Sequence, residues 1–378
     1  MRMNKAYKYR LYPNKKQKEL INKTIGCTRL IYNLLLGDKI EYYKEHKEML
    51  KREVSYYKNL KEYDFLKEVD SSALANAKMH LDTAYKNFFS GRTRFPKFKK
   101  KGVNDTYTTN RITDSKGHQN IAIVDGNIKL PKLGYVKTKH KRFPPSDETI
   151  KSVTVSKVAG KYYASVLVEY DDNTVATDIN DITLEDCIGL DYSSPLFYID
   201  SNGNDAEYPK YYRKSEDKLA KMQRKLSKKQ KGSNRRYKQK LKVQKLHNHI
   251  ANQRLDFAHK KSCELTNKYK VICFEDLNLS ELKKTLHLGK STSDNGFGMF
   301  RNLCAYKAYN KGGYVVKVDK FFASSQICHN CGYQNKEVKD LSVRTWICPN
   351  CGAVHNRDEN AAINIRNRGF EILCEETA

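Results

Sequence analysis

Residues 187–194 read CIGLDYSS, in which a short apolar run, Cys187-Ile-Gly-Leu190, ends in an acid, Asp191. Such a run, closed by polar residues, has the length and composition of a buried strand, which places Asp191 at or near its C-terminal end. The pattern recurs at 271–276, VICFED, where Glu275 follows Val271-Ile-Cys-Phe274. Outward from these two runs the chain alternates strands with helices. LFYID at 196–200 and a short run near Ala206 make a three-strand meander with the first, turning at Asn202-Gly203. A long helical region over 212–268 is broken at Gly232-Ser233. A helix over 298–311, a strand over 314–319 and a last helix opening at RDENAAINIRNRG complete the pattern. Asp358 stands at the start of that last helix.

Three acids thus follow in strand, strand, helix order within a βββαβαβα succession. That is the order of the RNase H-like (RuvC) nuclease fold, in which a first strand, a later strand and a C-terminal helix bring three carboxylates together. Hard oxygen ligands suit Mg²⁺ or Mn²⁺. Two such ions activate water and stabilise the leaving oxygen of a phosphodiester. Without metal the clustered carboxylates repel one another, so the site implies its cofactor.

Of the ten cysteines, Cys27, Cys187, Cys263, Cys273, Cys304 and Cys374 are scattered singly and read as small apolar residues of a reducing compartment. The other four form two C-x₂-C pairs, Cys328 with Cys331 and Cys348 with Cys351, with sixteen residues between the pairs. That spacing is a zinc-ribbon pattern. Each pair is followed by glycine, Gly332 and Gly352, which permits the tight knuckle turn. Four thiolates make a closed, structural Zn²⁺ site. His329 and His355 are adjacent alternative ligands, although four cysteines already satisfy the metal.

Nearer the N-terminus, Tyr7, Tyr9 and Leu11 alternate with Lys8 and Arg10 as a strand, and Pro13-Asn14 opens a helical stretch that runs to about Phe89. Five β-type runs follow, at 121–124, 127–131, 135–139, 152–158 and 161–170, with hairpin turns at Asp125-Gly126-Asn127 and Ala159-Gly160. A small β-barrel with a helical insertion is the expected architecture, and the polar stretch 171–186 is a linker. The expected fold class is multidomain α+β: this barrel, then an RNase H-like α/β domain carrying an inserted zinc ribbon.

Lys and Arg number 71 against 43 Asp and Glu, a formal net charge of +28. A surplus of that size calls for a polyanion, and nucleic acid is the commonest. No apolar run is long enough to span a bilayer, and MRMNKAYKYR lacks the apolar core of a signal peptide, so a membrane partner and export are not expected. Sixteen of the basic residues lie within 210–245, opposed only by Glu216 and Asp217. Lys228, Lys229, Arg235 and Arg236 are candidates there for phosphate contact. GRTRFPKFKKK at 91–101 interleaves Phe95 and Phe98 with Lys97, Lys99 and Lys100, a pattern suited to stacking and phosphate contact, or to phenylalanines in the barrel core.

The block from Ser325 to Ile365 resembles the C-terminus of the TnpB family encoded by insertion sequences. KYRLYPNKKQKELINK near the N-terminus, RFPKFKKK at 94–101, GLDYSS at 189–194, VICFEDLNLSEL at 271–282 and DNGFGMFRNLCAYKA at 294–308 are similar to the same family. TnpB proteins are RuvC nucleases guided by a transposon-derived RNA and related to type V CRISPR effectors. The resemblance implies an RNA-guided DNA endonuclease that cuts double-stranded target DNA beside a short transposon-adjacent motif. Asp191, Glu275 and Asp358 would be catalytic magnesium ligands, and Cys328, Cys331, Cys348 and Cys351 would hold zinc. It further implies a wedge domain over 1–12 and 102–175, a helical recognition lobe over 13–101, a RuvC domain over 186–323 and 356–378, and a target-nucleic-acid-binding zinc ribbon over 324–355. A cytoplasmic, nucleoid-associated prokaryotic protein with guide RNA, target DNA and no small-molecule substrate follows. The alternatives are an RNA-guided DNA-binding regulator without productive cleavage, or a transposase accessory protein. Two positions depart from the family pattern: Tyr192-Ser193-Ser194 replaces a Gly-containing turn, and Asn356 stands where Asp is common. The polar stretch 286–298 is a candidate lid over the carboxylates.

Overall fold

The computed structural model describes residues 2–375 except 141, 142, 146, 279–293, 295 and 341. The chain divides into two units, Met1–Asp172 and Asn173–Ala378. Among the described residues no helix is long and apolar enough to cross a membrane.

The first unit contains β1 (Arg2–Leu11), α1 (Lys15–His46), α2 (Val54–Lys58), α3 (Ser71–Phe89), β2 (Thr106–Asn110), β3 (Ala122–Val124), β4 (Asn127–Leu130), β5 (Gly134–Lys137), β6 (Thr149–Val158) and β7 (Lys161–Asp171). Asn14 starts α1 with a capping box: its side chain accepts from the Gln17 amide while the Gln17 side chain accepts from its own. The strands form two sheets, β1-β7-β6-β2 and β3-β4-β5. Tyr9, Leu11, Ile128, Val136, Val153 and Val166 from both share one core. The expected barrel is therefore a pair of sheets around one core. They meet at one corner, where Leu11 bridges Thr138 and the Tyr12 amide donates to the Lys137 carbonyl at 2.8 Å. Strand β2 was not foreseen; its alternating, β-branched TYTTN carries the signal. Asp125 and Gly126 both take positive φ, 47° and 74°, as a two-residue hairpin turn requires.

The second unit contains β8 (Cys187–Ser193), β9 (Phe197–Asp200), α4 (Tyr211–Ser227), α5 (Asn234–Lys268), β10 (Val271–Glu275), α6 (Phe297–Tyr309), β11 (Tyr314–Val318), β12 (Thr345–Ile347), β13 (Val354–Asn356) and α7 (Arg357–Glu375). The main sheet has the order β11-β10-β8-β9, with β8, β10 and β11 parallel and β9 antiparallel to β8. Its two faces feed two cores. Phe197, Phe274, Phe297 and Phe300 pack with Phe257 and Leu265 of α5 on one side. Cys273, Val316 and Val318 meet Ile365 and Leu373 of α7 on the other.

The meander is shorter than expected. Ala206 is buried, but the third strand reduces to a single bridge between Ile199 and Asp205. Two carboxylates compete for the amides that a ladder would use. Asp200 accepts from the Asn202 and Asn204 N–H, both at 2.9 Å, and Asp205 accepts from Glu207 N–H at 2.6 Å. Pro209 then removes another donor.

Candidate functional site

Each of the three acids is carried to one place by a different element. Asp191 sits on β8 and Glu275 on the last position of the neighbouring parallel strand β10. Asp358 lies in the first turn of α7, which packs across β8 and β10. All three line an open cleft of about 1390 Å³, whose wall also includes Lys210, Arg213, Lys320 and Arg344. Asn356 fixes the start of α7: its side-chain oxygen accepts from the Asp358 N–H at 3.1 Å and the Glu359 N–H at 3.3 Å. Asparagine caps a helix as well as aspartate does, so the departure at this position keeps the cap.

The electrostatics of the cleft follow from burial of like charges. Asp191 is pushed well above the usual carboxylate range by desolvation, then by Asp358 and Glu275, with Arg357 opposing. Desolvation pushes Glu275 up to about 7. Asp358 has a counter-ion, since Arg344 Nη1 lies 3.3 Å from both of its carboxylate oxygens. The three carboxylates do not close on one another as tightly as the cysteines do. Among the described residues, only the four cysteines bring all their ligand atoms within 4.8 Å.

Those cysteines come from two matching knuckles. In the first, the Gly332 N–H donates to the Cys328 carbonyl at 2.8 Å; in the second, Gly352 donates to Cys348 at 2.9 Å. Both glycines have positive φ, 76° and 73°. The Sγ atoms of Cys328 and Cys351 are 3.7 Å apart, and those of Cys331 and Cys348 are 3.6 Å apart. Four sulfurs about 2.3 Å from a tetrahedral Zn²⁺ stand about 3.8 Å from one another, so the donor set fits that ion. The Cys331 thiol is lowered to about 6, first by the Asn350 amide and then by the Tyr333 N–H. His355 is not part of the sulfur cluster, but its Nε2 lies 3.0 Å from Cys328 Sγ. Trp346, buried, packs its ring 4.6 Å from that histidine.

The basic candidates divide. Lys97, Lys100, Lys228 and Arg235 are exposed, and Lys229 is half-buried. Lys99 instead places its ammonium 4.1 Å from the Tyr32 ring centre, and its backbone pairs with the Asn33 side chain. Arg236 departs from the expectation of phosphate contact. Its guanidinium donates to the carbonyls of Leu226 at 2.7 Å and Lys229 at 2.8 Å, holding the turn between α4 and α5. Phe95 and Phe98 are exposed rather than in the sheet core. The candidate lid, 286–298, lies outside the described residues at 286–293 and 295. Arg344, Asn360 and Asn364 have no signal in the sequence, whereas Asn356, noted there only as a departure from the family pattern, takes its role as the cap.

Three comparisons bear on this site. The "Helix-turn-helix domain" description matches residues 1–48, "Probable transposase" matches 165–286 and "Cas12f1-like, TNB domain" matches 297–365. The first of these residue ranges forms one strand and one long helix here. A Streptomyces pristinaespiralis protein named "Putative RNA-guided DNA endonuclease" is 34% identical, over 97% of this chain and 90% of that one. The Escherichia coli K12 protein "Putative RNA-guided DNA endonuclease InsQ" is 32% identical, over 99% and 94%. A Cas12f1 chain, solved in complex with sgRNA and target DNA, shares the fold with a TM-score of 0.58 at 12% identity, covering 97% of this chain and 99% of that one. With such identity over nearly the whole length of its relatives, this chain belongs to the TnpB family of insertion-sequence proteins.

Proposed function

We propose that this protein is an RNA-guided, metal-dependent DNA endonuclease of RuvC type. The observation that carries the reading is the set of three carboxylates, from two parallel strands and one helix, facing a single cleft with basic side chains on its wall. The second unit, Asn173–Ala378, is on this reading an RNase H-like domain with an inserted ribbon. The first serves as wedge and recognition lobe for the guide RNA.

Asp191, Glu275 and Asp358 would hold Mg²⁺ or Mn²⁺, and their mutual repulsion supplies the drive to bind a cation. When bound, such ions supply an activated water and charge stabilisation at the leaving oxygen. The chain's own residues do the rest. Buried β8 and β10 keep two carboxylates rigid, the Asn356 cap aims the third, and Lys210, Arg213 and Lys320 attract the phosphate backbone. Sequence choice belongs to guide–target base pairing, and side chains read the short adjacent duplex motif. The basic helices α4 and α5 hold the guide–target duplex or the RNA scaffold through Lys228, Lys229 and Arg235. The protein works at the nucleoid in the cytoplasm.

The test is cleavage by the purified protein with the RNA that co-purifies with it. Sequencing that RNA should return transposon-end transcripts, and target DNA should be cut in Mg²⁺ by the parent but not by Asp191→Ala, Glu275→Ala or Asp358→Ala. Undiminished cutting by these variants removes the site assignment. Random cellular RNA removes the guide.

A further inference from the structure

We infer that the four-cysteine ribbon is a conditional part of the carboxylate cleft: with its metal bound, it holds Asp358 in place through Asn360 and Asn364. The inference rests on the reading of Asp191, Glu275 and Asp358 as one metal-holding set.

Helix α7 begins directly where the ribbon strand β13 ends, with no residue between Asn356 and Arg357. The ribbon ladder reaches into the helix, because the Arg357 N–H donates to the Arg344 carbonyl at 2.8 Å. A second joint is made by side chains. Asn360 and Asn364 lie one turn apart on the same helix face. Asn364 Nδ2 donates to the carbonyls of Ile327 at 2.6 Å and Ser324 at 2.8 Å. Asn360 Nδ2 donates to Ile327 at 2.7 Å, and its Oδ1 accepts from the His329 N–H at 3.1 Å. These residues flank or belong to the first knuckle, so the segment that carries Cys328 is bolted to the helix that carries Asp358.

Both asparagines are almost fully buried, 1% and 5% exposed. Buried amides cost stability when their bonds are unmade, so they permit one register of knuckle on helix where apolar packing would tolerate sliding. The ribbon cannot keep its half of this arrangement unaided. Its apolar core is Cys328, Val338, Trp346 and Cys348 with Val343 against them, and two of those residues are the proposed ligands. A core that small depends on its metal for folding. Loss of the metal releases Ser324, Ile327 and His329 from α7, and the first turn of α7 loses its support.

The experiment measures Mn²⁺ binding to the full-length chain by electron paramagnetic resonance, counting only the binding lost in Asp191→Ala. The double variant Asn360→Ala/Asn364→Ala is expected to retain one zinc per chain, by colorimetric release, and to bind Mn²⁺ about tenfold more weakly, the usual scale for losing support around a metal site. Zinc-stripped parent is expected to show the same loss. Should the double variant fail to fold, Asn364→Ala alone is expected to weaken binding in the same direction and by less. A folded, zinc-loaded variant with parental Mn²⁺ affinity overturns the inference and leaves the nuclease reading standing. A parent with no Asp191-dependent Mn²⁺ site overturns both.

Discussion

Gly189 of β8 lies against the backbone of α7 so closely that a Cβ there would come within 2.0 Å of the Ala362 carbonyl oxygen and 2.6 Å of the Arg366 nitrogen. Strand and helix touch main chain to main chain at this point, two residues before Asp191 and four after Asp358. Both atoms are main chain, so neither can rotate away. Gly189→Ala is therefore expected to push α7 off the sheet, costing about 1–3 kcal/mol or more and abolishing cleavage. Gly26→Ala in α1, where a Cβ meets nothing within 4 Å, is the control and should stabilise by about 1 kcal/mol. Thermal unfolding of the two variants separates these outcomes; equal melting temperatures would refute the close-contact argument.

The chain's single tryptophan reports on the ribbon. Trp346 is 6% exposed beside His355 and in the small cluster with Cys328 and Cys348. Chelating the zinc is expected to shift its emission to the red while far-ultraviolet ellipticity, dominated by helices outside the ribbon, changes little. An emission maximum that ignores chelation would mean the ribbon folds without metal.

Glu275, raised from 4.5 to about 7 by desolvation, sets a direction for pH dependence. The folded metal-free chain holds this proton over a window where the unfolded chain has released it, so its contribution to stability falls as pH rises from about 4.5 to 7. Asp191 acts in the same sense. His80, His259 and His355, all lowered chiefly by desolvation, act in the opposite sense, so the parent's own profile mixes the two. Comparison with Glu275→Gln removes the histidines. The variant should gain in melting temperature on the parent between pH 5 and 8, and Mg²⁺ should stabilise the parent more at the upper end. Parallel profiles would contradict the raised value.

Arg344 is 65% exposed, so its pair with Asp358 contributes little to stability, about 0–1 kcal/mol. Its consequence is electrostatic: a guanidinium occupies a carboxylate that would serve a divalent ion. Arg344→Ala is expected to leave the melting temperature nearly unchanged and to tighten Mn²⁺ binding at the cleft. Weaker binding in this variant would assign Arg344 a supporting role instead.

Two neighbouring arginines should behave differently. Arg235 is exposed, and Arg235→Ala is expected to weaken nucleic-acid binding and reduce the log–log salt slope by about 0.9. Arg236 caps carbonyls at the α4–α5 turn, so Arg236→Ala should lower thermal stability with a smaller change in salt slope. The same salt slope for both variants would show that the turn does not consume Arg236.

Sequence alone determined what depends on local pattern. Apolar runs ending in acids gave β8 and β10, the cysteine spacing gave the two knuckles, and paired turn residues gave the hairpin at Asp125-Gly126. The resemblance carried by those motifs named the family. The third meander strand failed because Asp200 and Asp205 divert amides into side-chain bonds, a competition that alternation does not reveal. Arg344 on Asp358, Asn360 and Asn364 on the first knuckle, Arg236 on the carbonyls near it and Gly189 on Ala362 were decided only in three dimensions. Each depends on where a backbone carbonyl or carboxylate from another element comes to rest. A polar side chain's partner is set by that placement, whereas an apolar residue needs only to be buried and so leaves its mark on the sequence as a period.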